Sequence, residues 1–253
     1  MNSAARLTTL TPAQRLELLK MARARKLVGQ VSELPPIEPA ARDRRLPLSF
    51  AQERLWFIDR LEPGSAVYNL AAAHRLWGEL DAAALERAVG EIVRRHEPLR
   101  TVFADVDGSP VQVVAPFGGF TLPVEDLSGL GDADRGAAAR RRAAEEAARP
   151  FDLAAGPLFR AALLRIGAQE HVLLLTMHHI VSDGWSMGVL FRELSVLYEA
   201  YREGRASPLP ELPVQYADYA VWQREQQDAG ELKRQLAYWR ERLAGAPELV
   251  ELP

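Results

Sequence analysis

Apolar positions along this chain switch between a two-residue period and a three-to-four-residue period. The densest apolar runs are Leu158–Ile166 and His171–His178. The core of the second, Val172-Leu173-Leu174-Leu175-Thr176-Met177, is apolar on both faces that a strand presents, which predicts a strand buried on both sides. Gly167 to Glu170 joins the two runs, so they should pair antiparallel. Tyr68–Leu76, Leu99–Ala104 and Val111–Val114 are predicted as further strands. Asp107-Gly108 lies between the last two and is a strong hairpin turn.

Helical spacing alternates with these strands. Thr11, Pro12 and Gln14 form a capping box with proline at the first helical position, which predicts a helix to about Leu27. Ser49 with Gln52 repeats the box and opens a helix to about Leu61, ended by Pro63-Gly64. Asp81 caps a helix whose stripe is Leu85, Val89, Ile92 and His96, stopped by Pro98. Residues 132–149 favour helix by propensity, with a mostly alanine face that suits the surface. Ser186–Arg202 is predicted as a helix with Val189, Leu190, Leu194, Leu197 and Tyr201 inward and Gly204 past its end. Tyr216–Asp228 and Glu231–Ala244 complete the set. Antiparallel pairs with flanking helices indicate an α+β layered sandwich with a mixed or antiparallel sheet.

Proline changes the picture between the first helix and the body. Pro35, Pro36, Pro39 and Pro47 favour extended geometry. The expected organisation is an N-terminal helical linker or docking segment at 1–30, a proline-rich linker at 31–46 and one large domain at 47–253. Lys+Arg 31 against Asp+Glu 34 gives a net charge of −3. Residues 1–46 hold nine basic and four acidic residues, so the remainder carries −8. A solvated basic helix at the start and no nucleic-acid partner are the readings this supports. The chain has no cysteine, which excludes disulfides, thiolate nucleophiles and cysteine zinc sites. No apolar run approaches the ~20 residues of a membrane span, and the first residues lack signal-peptide character. A cytoplasmic protein with no membrane partner is expected.

Chemistry concentrates at Met177-His178-His179-Ile180-Val181-Ser182-Asp183-Gly184-Trp185-Ser186. Two histidines end a buried strand, and consecutive strand residues face opposite sides. One imidazole should therefore face a cavity while the other supports the loop from the core. Asp183 could brace the loop through an arginine or through backbone amides. Gly184 can take φ > 0 and admit close approach. A helix beginning near Ser186 would aim free N–H groups and a partial positive charge at the loop. An imidazole with such donors suits attack on a carbonyl, as proton acceptor or positioning group. Adjacent histidines diverge, which disfavours a metal site, and Ser186 is not read as a nucleophile.

Four segments in order resemble condensation domains of nonribosomal peptide synthetases. Ser49-Phe50-Ala51-Gln52-Glu53-Arg54-Leu55-Trp56 looks like the family's first motif. Arg95-His96-Glu97-Pro98-Leu99-Arg100-Thr101-Val102-Phe103 looks like the second. The His178–Ser186 segment is similar to the third, active-site motif, and Tyr216-Ala217-Asp218-Tyr219-Ala220-Val221-Trp222 resembles the fourth. The match runs from about residue 45 to the end and covers the first half of such a domain. The resemblance implies one lobe of a V-shaped, two-lobe fold like chloramphenicol acetyltransferase, inactive when alone.

That resemblance also implies a reaction. The amine of an acceptor aminoacyl group attacks the thioester of a donor acyl or peptidyl group, giving an amide and a carrier thiol. No cofactor is bound directly; both substrates ride on phosphopantetheine arms of carrier domains. Implied partners are the donor and acceptor carrier domains, the second lobe, and an upstream synthetase subunit met by the N-terminal helix. His179 matches the base or amine-positioning residue and His178 a supporting one. Asp183 matches a structural aspartate held by an arginine, for which Arg100 is the candidate. Gly184 lies against the acceptor path, with Trp185 and Ser186 as structural support. Trp56, Tyr68, Trp222 and Trp239 read as packing aromatics. The competing readings are a related acyltransferase that makes esters or uses coenzyme A, an epimerase-type relative, and a non-catalytic module that binds carriers.

Overall fold

Two sheets and the helices packed against them place the His178–Ser186 segment at a strand end. A computed structural model describes residues 35–228 and 230–247 of the chain. The helix expected from Thr11 lies outside them. From Ile37 onward the chain forms one compact unit. Its elements run β1 (Leu46–Pro47), α1 (Phe50–Leu61), β2 (Asn69–Trp77), α2 (Ala82–Arg95), a 3-10 turn (Glu97–Arg100), β3 (Thr101–Val106), β4 (Ser109–Val114), β5 (Val124–Asp126), α3 (Asp132–Ala148), β6 (Phe159–Gly167), β7 (Glu170–His178), α4 (Gly184–Arg202), α5 (Tyr216–Asp228) and α6 (Glu231–Arg242).

The larger sheet has the order β2-β7-β6-β5, with β5 parallel to β6 and the other pairs antiparallel. The smaller is β1-β4-β3, all antiparallel. β7 is buried at every position after Glu170, as its apolar run required. Its odd residues Leu173, Leu175 and Met177 join α2 and α4 in the main core. Its even residues Val172 and Leu174 face Ala138 and Ala139 of α3. The alanine face of α3 is thus not simply surface: it covers the back of the sheet, and small side chains let helix and sheet approach closely.

Local signals account for the element ends. Ser49 and Gln52 form the capping box, and Asp81 accepts from the Ala84 amide. Asp107 (φ 55°) and Gly108 (φ 78°) both take the left-handed geometry of the β3–β4 hairpin. One strand boundary moves. Leu99 and Arg100, expected in a strand, belong to the 3-10 turn, because Pro98 favours a tight helical start. Residues 37–45, read from their prolines as linker, lie against the body: Arg42 bridges Glu97 and the buried Asp218 at 2.8 and 2.6 Å. Burial raises the Asp218 carboxyl, but Arg42 and the amides of Ala40 and Gln215 outweigh it and hold the group below its ordinary range.

Candidate active site

β7 ends between two neighbours that both hold its last residues. The His178 amide donates to Leu158 O at 3.0 Å and the His179 amide to Tyr68 O at 2.8 Å. The chain then turns, with the Val181 amide donating to His178 O at 3.1 Å. Ile180 plugs a third core cluster with Leu48, Phe103, Phe151, Leu153 and Leu158. The turn is therefore anchored from inside, and the two histidines diverge from it.

His178 is 3% exposed and lies between the rings of Tyr68 and Phe151, at centroid distances of 6.3 and 6.2 Å. Its Nδ1 accepts from the Ile180 amide at 3.1 Å, so that nitrogen carries no proton. Burial, with a smaller push from His179, lowers its pKa to about 4. His178 is a neutral brace. The His179 ring is exposed, and its Nδ1 stands 2.7 Å from Ser182 O. A carbonyl only accepts, so Nδ1 is the protonated nitrogen. In the neutral imidazole, Nε2 then keeps its lone pair and is free to accept.

Asp183 is the N-cap of α4. Its Oδ1 accepts from the Ser186 amide at 2.8 Å and the Ser186 hydroxyl at 2.6 Å. The Ser186 hydroxyl and amide, with help from His179 and the Trp185 amide, lower the pKa of this carboxyl. Three expectations are corrected here. Arg100 does not pair with Asp183: its guanidinium donates to Ala115 O and approaches Glu97 at 3.9 Å, while the carboxylate is already taken by its own helix. The Ser186 amide of the first turn is not free for a carbonyl oxygen, because Asp183 Oδ1 occupies it. Gly184 is the first helical residue and is not among the glycines with positive φ. What its missing side chain leaves is open space, since a Cβ there would meet nothing within 4 Å.

Trp185, expected as structural support, is 84% exposed. Ser186 does support the loop, through its two bonds to Asp183. Its flanks Gly184 and Gly188 complete a G-x-S-x-G pattern, which the exclusion of a serine nucleophile left out of account. The geometry still argues against an elbow: Ser186 sits inside the first turn of α4, lacks positive φ, and spends its hydroxyl on Asp183. Trp56 packs partly buried on the third core cluster, whereas Trp239 is exposed in the described residues.

The four segments quoted from the sequence meet in space. Gln52 Nε2 donates to Ile180 O at 3.4 Å and to Gln112 Oε1 at 3.2 Å, which ties the first segment to the third. Ser49 Oγ and the Tyr216 hydroxyl lie 3.0 Å apart, linking first to fourth. Gln215 accepts from the Glu97 amide and donates to Arg95 O, linking the second. The sequence marked Gln52 as a cap and as part of the first segment but gave it no contact with the turn, and Ser182 had no role of its own, because its part is played by a carbonyl. Among the described residues there is no cluster suited to a metal and no helix long and apolar enough to cross a membrane.

Comparison with known proteins agrees with this convergence. The model of the condensation domain matches residues 42–253. The chain belongs to the condensation-domain family. This condensation lobe is 52% identical over 217 residues to one of the linear gramicidin synthase proteins of Brevibacillus parabrevis, covering 86% of the chain and 3% of that protein. It is 45% identical to phosphinothricin tripeptide synthetase PhsC of Streptomyces viridochromogenes, covering 98% of the chain and 23% of that protein. Among solved structures, the starter condensation domain of rhizomide synthetase RzmA matches with a TM-score of 0.74 at 26% identity, over 81% of this chain and 49% of that one. The X-domain from teicoplanin biosynthesis matches with a TM-score of 0.74 at 36% identity, over 87% and 48%. The chain thus spans about half of the solved domains and a small part of the curated relatives. The expected layered α+β lobe of the chloramphenicol-acetyltransferase type is what these neighbours share.

Proposed function

We propose that this lobe supplies the amine-handling half of an amide-forming condensation site. The observation that carries the reading is the 2.7 Å contact between His179 Nδ1 and Ser182 O. It fixes the tautomer and leaves Nε2 as an exposed acceptor. The attacking amine of an acceptor aminoacyl group donates to Nε2 as its nitrogen adds to the donor thioester carbonyl. The C–N bond forms, the C–S bond breaks, and the amine's proton leaves through Nε2 to the departing thiolate. The products are an amide and a free thiol, and both substrates arrive on phosphopantetheine arms of carrier domains. His178 and Asp183 hold the turn and do not touch substrate. Gly184 keeps the approach clear. The second lobe completes the site, residues 1–30 meet an upstream synthetase protein, and the domain proper starts within residues 37–47.

The test is turnover by the full-length protein with both carriers loaded. His179→Ala should lower amide formation by about 10²–10⁴-fold, the usual contribution of a positioned acid–base group, with an unchanged melting temperature. Wild-type turnover in that variant refutes the assignment. A second reading has one observation in its favour: the similar X-domain from teicoplanin biosynthesis is solved in complex with OxyB. In that reading the lobe recruits a partner protein, and His179→Ala leaves its function intact.

A further inference from the structure

The loop that carries His179 is also one wall of a cavity. About 270 Å³ lies behind it, lined mostly by apolar groups that include Ile92, Leu99, Val189 and Val214, with Ser182 and Trp185 contributed by the loop. The polar groups of this wall are largely engaged elsewhere. His96 Nε2 is 2.9 Å from Glu193, the Tyr216 hydroxyl is on Ser49, Gln215 is held by Glu97 and Arg95, and the Ser186 hydroxyl is on Asp183. Ser182 is the exception. It is 8% exposed, and its hydroxyl is buried without a hydrogen-bond partner among the described residues. Its carbonyl meanwhile holds the His179 ring. One residue therefore borders both the imidazole and the cavity.

We infer that this cavity is the pocket for the side chain of the acceptor amino acid, and that it takes an uncharged aliphatic or aromatic group. The inference rests on the condensation reading. Ligand pockets for whole small molecules span roughly 300–1,000 Å³; this one, at about 270 Å³, lies just below that range and has ample room for one side chain. Its apolar wall excludes a charged group, which would be buried without a counter-ion. The acceptor is favoured over the donor because its side chain branches from the carbon that bears the amine, and the amine is the group His179 engages. Val189, near the start of α4, is one of the apolar residues that line the pocket.

The experiment measures kcat/KM in the full-length protein for acceptors presented as glycyl, alanyl, leucyl, phenylalanyl and aspartyl thioesters of N-acetylcysteamine, against one fixed donor. A methylene in an apolar pocket discriminates by about 10–200-fold, so leucyl should exceed glycyl and aspartyl at least tenfold. Val189→Trp should cut the leucyl-to-glycyl ratio at least tenfold, and Val189→Ala should move the optimum to bulkier side chains. Unchanged ratios in both variants overturn the pocket. Calorimetric titration with the leucyl and glycyl thioesters separates the two claims. If no acceptor yields amide yet leucyl binds at least tenfold tighter than glycyl and loses that advantage in Val189→Trp, the condensation reading fails and the side-chain pocket stands. Equal affinities refute the pocket itself.

Discussion

Acid should destabilise this protein through His178 well before its carboxylates titrate. The imidazole is buried, neutral and fixed as an acceptor for the Ile180 amide. Its pKa falls from 6.5 to about 4 on folding. The unfolded chain therefore binds a proton between those values while the folded one does not, so stability is complete above about pH 6.5 and is lost as the pH falls toward 4. At about 1.4 kcal/mol for each pH unit, the whole interval is worth about 3 kcal/mol, and about 2 kcal/mol of it is gone by pH 5. The assay is urea unfolding from pH 7.5 to 5 for the wild type and for His178→Asn, whose Oδ1 can replace Nδ1 as the acceptor. The variant loses ring packing against Tyr68 and Phe151, which offsets its curve at every pH. The slope is what matters: it should be flatter than the wild type's by about 2 kcal/mol over the range. Parallel curves would refute the claim that a neutral, buried His178 braces the turn.

Asp183→Ala should cost about 1 kcal/mol in urea unfolding, the ordinary loss of an N-cap, and Asp183→Asn much less. A loss above about 3 kcal/mol would instead indicate a stranded buried guanidinium. Gln52→Met should cost about 2–4 kcal/mol, because it orphans the Ser49 amide and the Ile180 carbonyl at about 1–3 kcal/mol each; a change under about 0.5 kcal/mol would show that water replaces both bonds. Arg42→Ala should cost about 3 kcal/mol at pH 7, since Asp218 is 1% exposed. That cost should shrink as the pH falls below the ordinary carboxylate range, because the Asp218 carboxyl, held low by folding, stabilises only while ionised.

How much of this was readable before any coordinates depends on whether a feature is local. β7 announced itself, because four apolar residues in a row, Val172 to Leu175, with Met177 beyond Thr176, suit a strand buried on both faces. The caps at Ser49 and Asp81 and the hairpin at Asp107-Gly108 are decided within four residues, and they formed where expected. The divergence of His178 and His179 follows from the pleat alone. Partner choice was not local. Asp183 offered an arginine or backbone amides equally well on paper, and proximity decided for Ser186, three residues away, over Arg100. Helix onset was also not local to the stripe: α4 starts at Gly184, two residues earlier than expected, since the Asp183 N-cap overrides the stripe at a helix end. Ser182 was invisible because a carbonyl has no side-chain signature.

The turn's hydrogen bonds explain why only one of the two imidazoles is exposed. His178 Nδ1 receives the Ile180 amide, Ile180 O receives Gln52, and Ser182 O receives His179 Nδ1. Residues 178, 180 and 182 each accept, and residue 179 is the one that donates outward from its ring. Protonating His178 would convert its acceptor into a donor facing the Ile180 N–H. The turn would lose its first support, and with it the carbonyl that sets the His179 tautomer. The low pKa of the buried ring therefore protects the geometry of the exposed one: above about pH 4 the His178 ring stays neutral and the turn stays closed.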